Sequence, residues 1–169
     1  MTATGRGTAS FTVRREVAAP AAAVWALVTD WPSHGRWVAG TRVRTTSARP
    51  DGVGAAFVAR TGLGPVGFDD PMTVTRWEPP TADAAGRCDV RKTGRVVLGE
   101  ASFVVTPLGE RRCRLDWTED VEVAGIRRLP LSAWASRQVG AAIFAVVARR
   151  LAAEVEAGQP GPASPGRQR

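Results

Sequence analysis

The chain has no tyrosine, two cysteines, one histidine and, among 23 basic residues, a single lysine. Each shortage removes a class of function. Cys88 and Cys113 are too few and too far apart for a disulfide scaffold or a zinc site, so free thiols in a reducing cytoplasm are expected. With His34 as the only histidine, any Ser–His or Cys–His dyad would have to use it, and beside Gly35 it reads as a surface or rim residue. No H-x-E, HExxH or CxxC spacing occurs, so no motif requires a metal or another cofactor. Gly62–Leu63–Gly64–Pro65–Val66–Gly67 lacks both the GxGxxG spacing and the phosphate-loop lysine, and reads as a hairpin. Met1–Ser10 holds no apolar h-region and no hydrophobic run reaches bilayer length, so no membrane span is expected.

The formal charge of +7 invites a nucleic-acid or ribosome-associated reading, since clustered Arg and Lys neutralise phosphates. Here the arginines are scattered from Arg6 to Arg169 and gather only in doublets such as Arg14–Arg15 and Arg127–Arg128. That pattern describes a basic surface and argues against nucleic acid as a partner. Nothing in the sequence indicates an oligomeric state.

A hydrophobic content of 44% supports one substantial core in 169 residues. The segment able to plug it is Leu131–Glu156. No charge stands between Arg137 and Arg149, and Val139, Ile143, Val147 and Leu151 recur at spacings of four, so a long helix packing through these residues is expected. Ser132 is its expected N-cap, and Gly158 with Pro160 its stop. Upstream, a flexible leader over residues 1–10 precedes a strand from Phe11 to Val17. Pro20 then opens a helix carrying Val24, Leu27 and Val28 on one face, and Asp30–Ser33 breaks it before a second short helix bearing Trp37. From Thr41 to Val123, extended runs alternate with turn residues: Arg42–Ser47, Gly54–Thr61, Phe68–Trp77, Arg87–Thr93, Val96–Thr106 and Arg111–Val123. The domain therefore spans residues 11–157, and 158–169 reads as a disordered tail.

The expected class is α+β: a curved antiparallel sheet of about seven strands wrapped around a long C-terminal helix, with two short helices after the first strand. This order, with Ala19–Pro20, Val24–Trp25, Asp30 and Trp37 near the start and Trp77–Glu78–Pro79–Pro80 in the middle, resembles the START-like helix-grip (SRPBCC) superfamily. That superfamily includes bacterial polyketide cyclase/dehydrase and lipid-transport proteins. The resemblance runs from about Phe11 to Val155 and implies a deep apolar pocket between sheet and helix.

Six tryptophans give such a pocket its walls. Trp25 and Trp77 read as core, whereas Trp31, Trp37, Trp117 and Trp134 are candidate ligand contacts, with Phe57, Phe68, Met72 and Phe103 secondary. Strand alternation turns two charges inward: Glu119 shares a face with Leu115 and Trp117, and Lys92 shares one with Cys88 and Val90. Arg91 takes the place of Lys92 if that strand slips by one. The expected function is binding of a small hydrophobic or aromatic molecule. The alternative, which the resemblance supplies, is a cyclase/dehydrase using Glu119, Lys92 or Arg91 for enolisation, aldol closure or loss of water.

Overall fold

The computed structural model describes residues 9–63, 66–123 and 130–159, with side chains for all of these except 9, 63 and 130–137. The strands are β1 (Ala9–Val17), β2 (Thr41–Thr45), β3 (Ala56–Leu63), β4 (Val66–Glu78), β5 (Gly86–Thr93), β6 (Val97–Pro107) and β7 (Cys113–Val123). They form one curved antiparallel sheet in the order β1-β7-β6-β5-β4-β3-β2. Helix α1 (Ala21–Val28), one 3-10 turn at Trp31–Ser33 and helix α2 (His34–Trp37) follow β1, and α3 (Pro130–Ala157) closes the fold. The elements expected from alternation and turn residues are present. β1 starts at Ala9 rather than Phe11, and α3 starts at Pro130, which places Ser132 inside its first turn instead of at its cap.

Register sets the inner face in rows. Val74, Val90, Ala101, Glu119 and Phe11 stand side by side across five strands, and the next row holds Phe57, Met72, Lys92, Gly99 and Val121. Two residues further along β4, Asp70 pairs with Ala59 on β3. A register shift between Val74 and Arg76 brings Trp77 onto the same face as Val74, opposite Cys88. Gly99 has a φ of +134°, and a Cβ there would sit 2.1 Å from the Asp120 carbonyl oxygen. Only glycine fits that position.

The small helices hold the C-terminal half of α3. Glu154 accepts from Trp37 Nε1 at 2.8 Å and pairs with Arg36 at 2.5 Å, while Arg150 donates to the Trp37 carbonyl oxygen at 2.8 Å. Glu156 accepts from the Ala18 backbone N–H, tying the end of β1 to the end of the helix. Gly158 terminates α3 by donating to Glu154 and Val155.

The expected packing face of α3 is corrected. Val147 and Leu151 are buried, but Val139 and Ile143 are 58% and 49% exposed. The helix turns Gly140, Phe144, Val147, Leu151 and Val155 toward the sheet. Gly140 lies so close to β1 that a Cβ would meet the Phe11 ring at 2.7 Å, and Phe144 packs on Phe11 and Trp117 with centroids 5.4 and 5.1 Å away. Both stripes satisfy helical spacing and share Val147 and Leu151. The close approach allowed by Gly140 decides between them.

Candidate functional site

The middle of the inner face is an aromatic layer. Trp31 stacks on Phe57 at 4.2 Å, Phe103 meets Trp117 edge-on at 4.6 Å, and Trp25 and Trp77 form a second edge contact at 5.2 Å. Trp31, Trp37, Phe57, Phe103 and Trp117 are sealed from solvent. Buried indoles need acceptors, and each of these has one: Pro50 carbonyl oxygen for Trp31, Glu154 for Trp37 and Glu119 for Trp117, at 2.8, 2.8 and 2.9 Å.

A charged cluster sits directly on this layer. Lys92 Nζ lies 3.2 Å from Asp70 Oδ2 and 3.3 Å from Glu119 Oε2, and all three side chains are at least nine-tenths buried. Lys92 and Glu119 stand two strands apart, about 9–10 Å at ordinary strand spacing. The ammonium reaches across because β6 offers only Gly99 and Ala101 beneath it. Burial alone would lower the Lys92 pKa; the Glu119 and Asp70 carboxylates outweigh it and hold the ammonium above its usual value. Burial raises the Glu119 and Asp70 carboxyls against the pull of Lys92. Two carboxylates facing one ammonium leave one negative charge without a match. Among the described residues no group of His, Cys, Asp and Glu is arranged to hold a metal ion.

Comparison with known proteins agrees with this architecture. Residues 8–156 match the family described as polyketide cyclase / dehydrase and lipid transport. The chain belongs to that family. Among curated proteins no sequence matches it. A solution structure from Thermobifida fusca is similar at 25% identity and a TM-score of 0.62, covering 87% of this chain and 93% of that one. The Zhui aromatase/cyclase from Streptomyces sp. R1128 is similar at 17% identity and a TM-score of 0.67, with 88% and 94% covered. A START superfamily protein from Mycobacterium smegmatis has 19% identity and a TM-score of 0.68, covering 88% and 97%. At those identities the last two establish the shared helix-grip fold.

Within this polyketide cyclase/dehydrase-family fold, the residues singled out from the sequence divide into three groups. Glu119 and Lys92 are inward and paired, both side chains at least nine-tenths buried. Arg91 is corrected: it points out of the sheet, 62% exposed and 3.8 Å from Glu100, because period-two alternation cannot send it inward together with Lys92. Trp31, Trp37, Phe57, Phe103 and Trp117 join the aromatic layer, and Phe68 and Met72 flank Asp70 and stay partly exposed. The side chain of Trp134 lies outside the described residues.

Two residues were missed. Asp70 shares strand parity with Phe68, Met72 and Val74, a signal the adjacent Asp69 masks by making the pair look like solvent-facing charge. His34 is the other. It is half-buried, and the rings of Trp31, Trp37, Phe103 and Trp117 stand around it at centroid distances of 5.1–6.1 Å. Its Nε2 is 2.7 Å from the Val28 carbonyl oxygen, which only accepts, so Nε2 carries the proton. Burial pushes the imidazole down to about 4. Burial likewise pushes the Cys88 and Cys113 thiols up, to about 12 and about 11, which makes both poor nucleophiles at neutral pH.

His34 gives the fold a pH dependence of known sign. The unfolded chain protonates this residue below about 6.5, whereas the folded chain does so only near 4, so acidification through this window favours unfolding. The raised Asp70 and Glu119 carboxyls act with the opposite sign. A comparison with His34→Gln cancels their share. The stability advantage of the unmodified chain over that variant should shrink by about 2 kcal/mol between pH 7 and pH 5 in urea unfolding. A gap that stays constant with pH would mean His34 is not held neutral.

Proposed function

We propose that this protein binds a small hydrophobic or aromatic molecule between the inner face of the sheet and α3. The observation that carries this reading is a buried polar cluster set at the edge of a wholly aromatic layer. Ligand sites combine apolar walls with a few placed polar groups, and a core that needed only packing would gain nothing from three buried charges. Apolar surface is also left over beside it: Phe68 and Met72 flank Asp70 without being sealed. The names carried by its relatives, lipid transport and aromatase/cyclase, point in the same direction. Nile red, an uncharged probe, should bind the native protein saturably at one per chain and quench tryptophan emission. Native mass spectrometry of protein purified from its own host should show a copurified ligand. Failure of every apolar probe to bind would remove the reading.

A second reading is favoured by one contact, the 3.3 Å approach of Lys92 Nζ to Glu119 Oε2. A carboxyl raised by burial beside an ammonium can give or take a proton in a dry site, which is what enolisation or loss of water in a cyclase/dehydrase reaction would require. Glu119→Gln separates the two. It preserves shape and leaves Lys92 paired with Asp70, so ligand binding should survive in both cases. An enzyme would lose on the order of a hundredfold or more in turnover. Unchanged turnover would exclude Glu119 as the acid or base.

The two cysteines are unpaired and buried, which supports placement in a reducing cytoplasm. No helix among the described residues is long and apolar enough to cross a membrane.

A further inference from the structure

Three of the four carboxylate oxygens in the charged cluster are engaged: Asp70 Oδ2 and Glu119 Oε2 by Lys92, and Glu119 Oε1 by Trp117 Nε1. The fourth is Asp70 Oδ1, buried and without a hydrogen-bond partner among the described residues. A buried oxygen of this kind destabilises the fold unless something donates to it. Among the described residues the sheet supplies no donor to it. The residue paired with Asp70 is Ala59, whose methyl group can neither reach nor donate, and the same-face neighbours on β4 are Phe68 and Met72. Those two side chains remain partly exposed while the aromatic layer beyond them is closed, so Asp70 stands where the sealed layer gives way to partly exposed apolar side chains.

We infer that Asp70 Oδ1 is the polar anchor of the binding site and accepts a hydrogen bond from the ligand, selecting aromatic molecules that carry a hydroxyl or an ammonium donor. Lys92, donating to Oδ2, keeps the carboxylate oriented with Oδ1 outward from the pair. The cluster's unmatched negative charge repels ligands with an anionic head, so carboxylates and phosphates are rejected. This inference rests on the binding reading above and specifies its ligand class.

Calorimetric titration of the full chain at pH 7 with four probes on one frame tests it: 2-naphthol, 2-naphthylmethylamine, 2-methoxynaphthalene and 2-naphthoate. A hydrogen bond to a charged group is worth about tenfold or more in affinity, so at least one of the two donors should bind about tenfold tighter than the ether and the carboxylate. Which donor wins separates a neutral hydroxyl from an ammonium. In Asp70→Asn, the side-chain oxygen keeps the contact with Lys92 and turns the amide N–H2 into the Oδ1 position, so the donor preference should disappear and the ether should gain. Asp69→Asn, on the exposed neighbour that pairs with Arg60, should leave the preference unchanged. Equal binding of all four probes, tighter binding of naphthoate, or a donor preference that survives Asp70→Asn overturns the inference while leaving the binding site standing. Binding of Nile red with none of the four has the same consequence. If no probe binds at all, the binding reading falls and takes the inference with it. Should Asp70→Asn fail to fold, the ranking of probes by the unmodified chain still decides.

Discussion

Lys92→Met should lower the unfolding free energy by about 3–5 kcal/mol at pH 7, the usual penalty for removing one partner from a buried ion pair. The variant keeps an apolar chain of similar length over Gly99 and Ala101, so the loss is electrostatic rather than a packing defect. Asp70 and Glu119 would remain enclosed with no ammonium between them. Their carboxyls, already raised by burial, would rise further and take up protons on folding. The sign of the pH dependence follows. At neutral pH the unfolded variant has ionised carboxylates in water, whereas the folded variant must bury them or bind protons. Near pH 4 both states hold protons on these groups, and the difference from the unmodified chain should shrink. Combining Lys92→Met with Asp70→Asn and Glu119→Gln removes the stranded charges and should recover much of the stability. Urea unfolding at pH 7 and pH 5 provides the measurement. A loss under about 1 kcal/mol, or one that is flat with pH, would mean that water reaches the cluster and that it is not a buried site.

Leu151→Asp should abolish folding, whereas Ile143→Asp should change stability by no more than about 1 kcal/mol. Leu151 is fully buried between α3 and the sheet, and an aspartate there would be an unpaired charge in an apolar core, among the most damaging single changes known. Ile143 is 49% exposed and its replacement reaches water. The milder Leu151→Ala should cost about 2–5 kcal/mol through lost burial and the cavity left behind. Thermal unfolding followed by circular dichroism distinguishes these variants. A strongly destabilised Ile143→Asp would place the helix in the other rotation and unseat the contact between Gly140 and Phe11.

Most of the architecture is legible in the sequence. Alternation along β7 placed Cys113, Leu115, Trp117 and Glu119 on one face, and a two-residue period has only two phases, so hydrophobic content chooses between them. The same logic turned Lys92 inward. Separators such as Arg49–Pro50–Asp51–Gly52 and Glu78–Pro79–Pro80 mark the turns because they restrict backbone angles locally, without help from distant residues. The long uncharged helix was equally plain.

What the chain by itself determined was therefore the order of elements, the sheet, the covering helix and the inward sense of Glu119 and Lys92, all of which rest on periodicity and local backbone preference. Tertiary structure alone decided the rotation of α3, the aromatic surroundings of His34 and the joining of Asp70, Lys92 and Glu119. In α3 the stripes of Ile143 and Phe144 fit the helical period equally, and only contact with Phe11 chose. The three charges come from strands distant in sequence, and their meeting depends on register and on the bare backbone at Gly99, which no local pattern records.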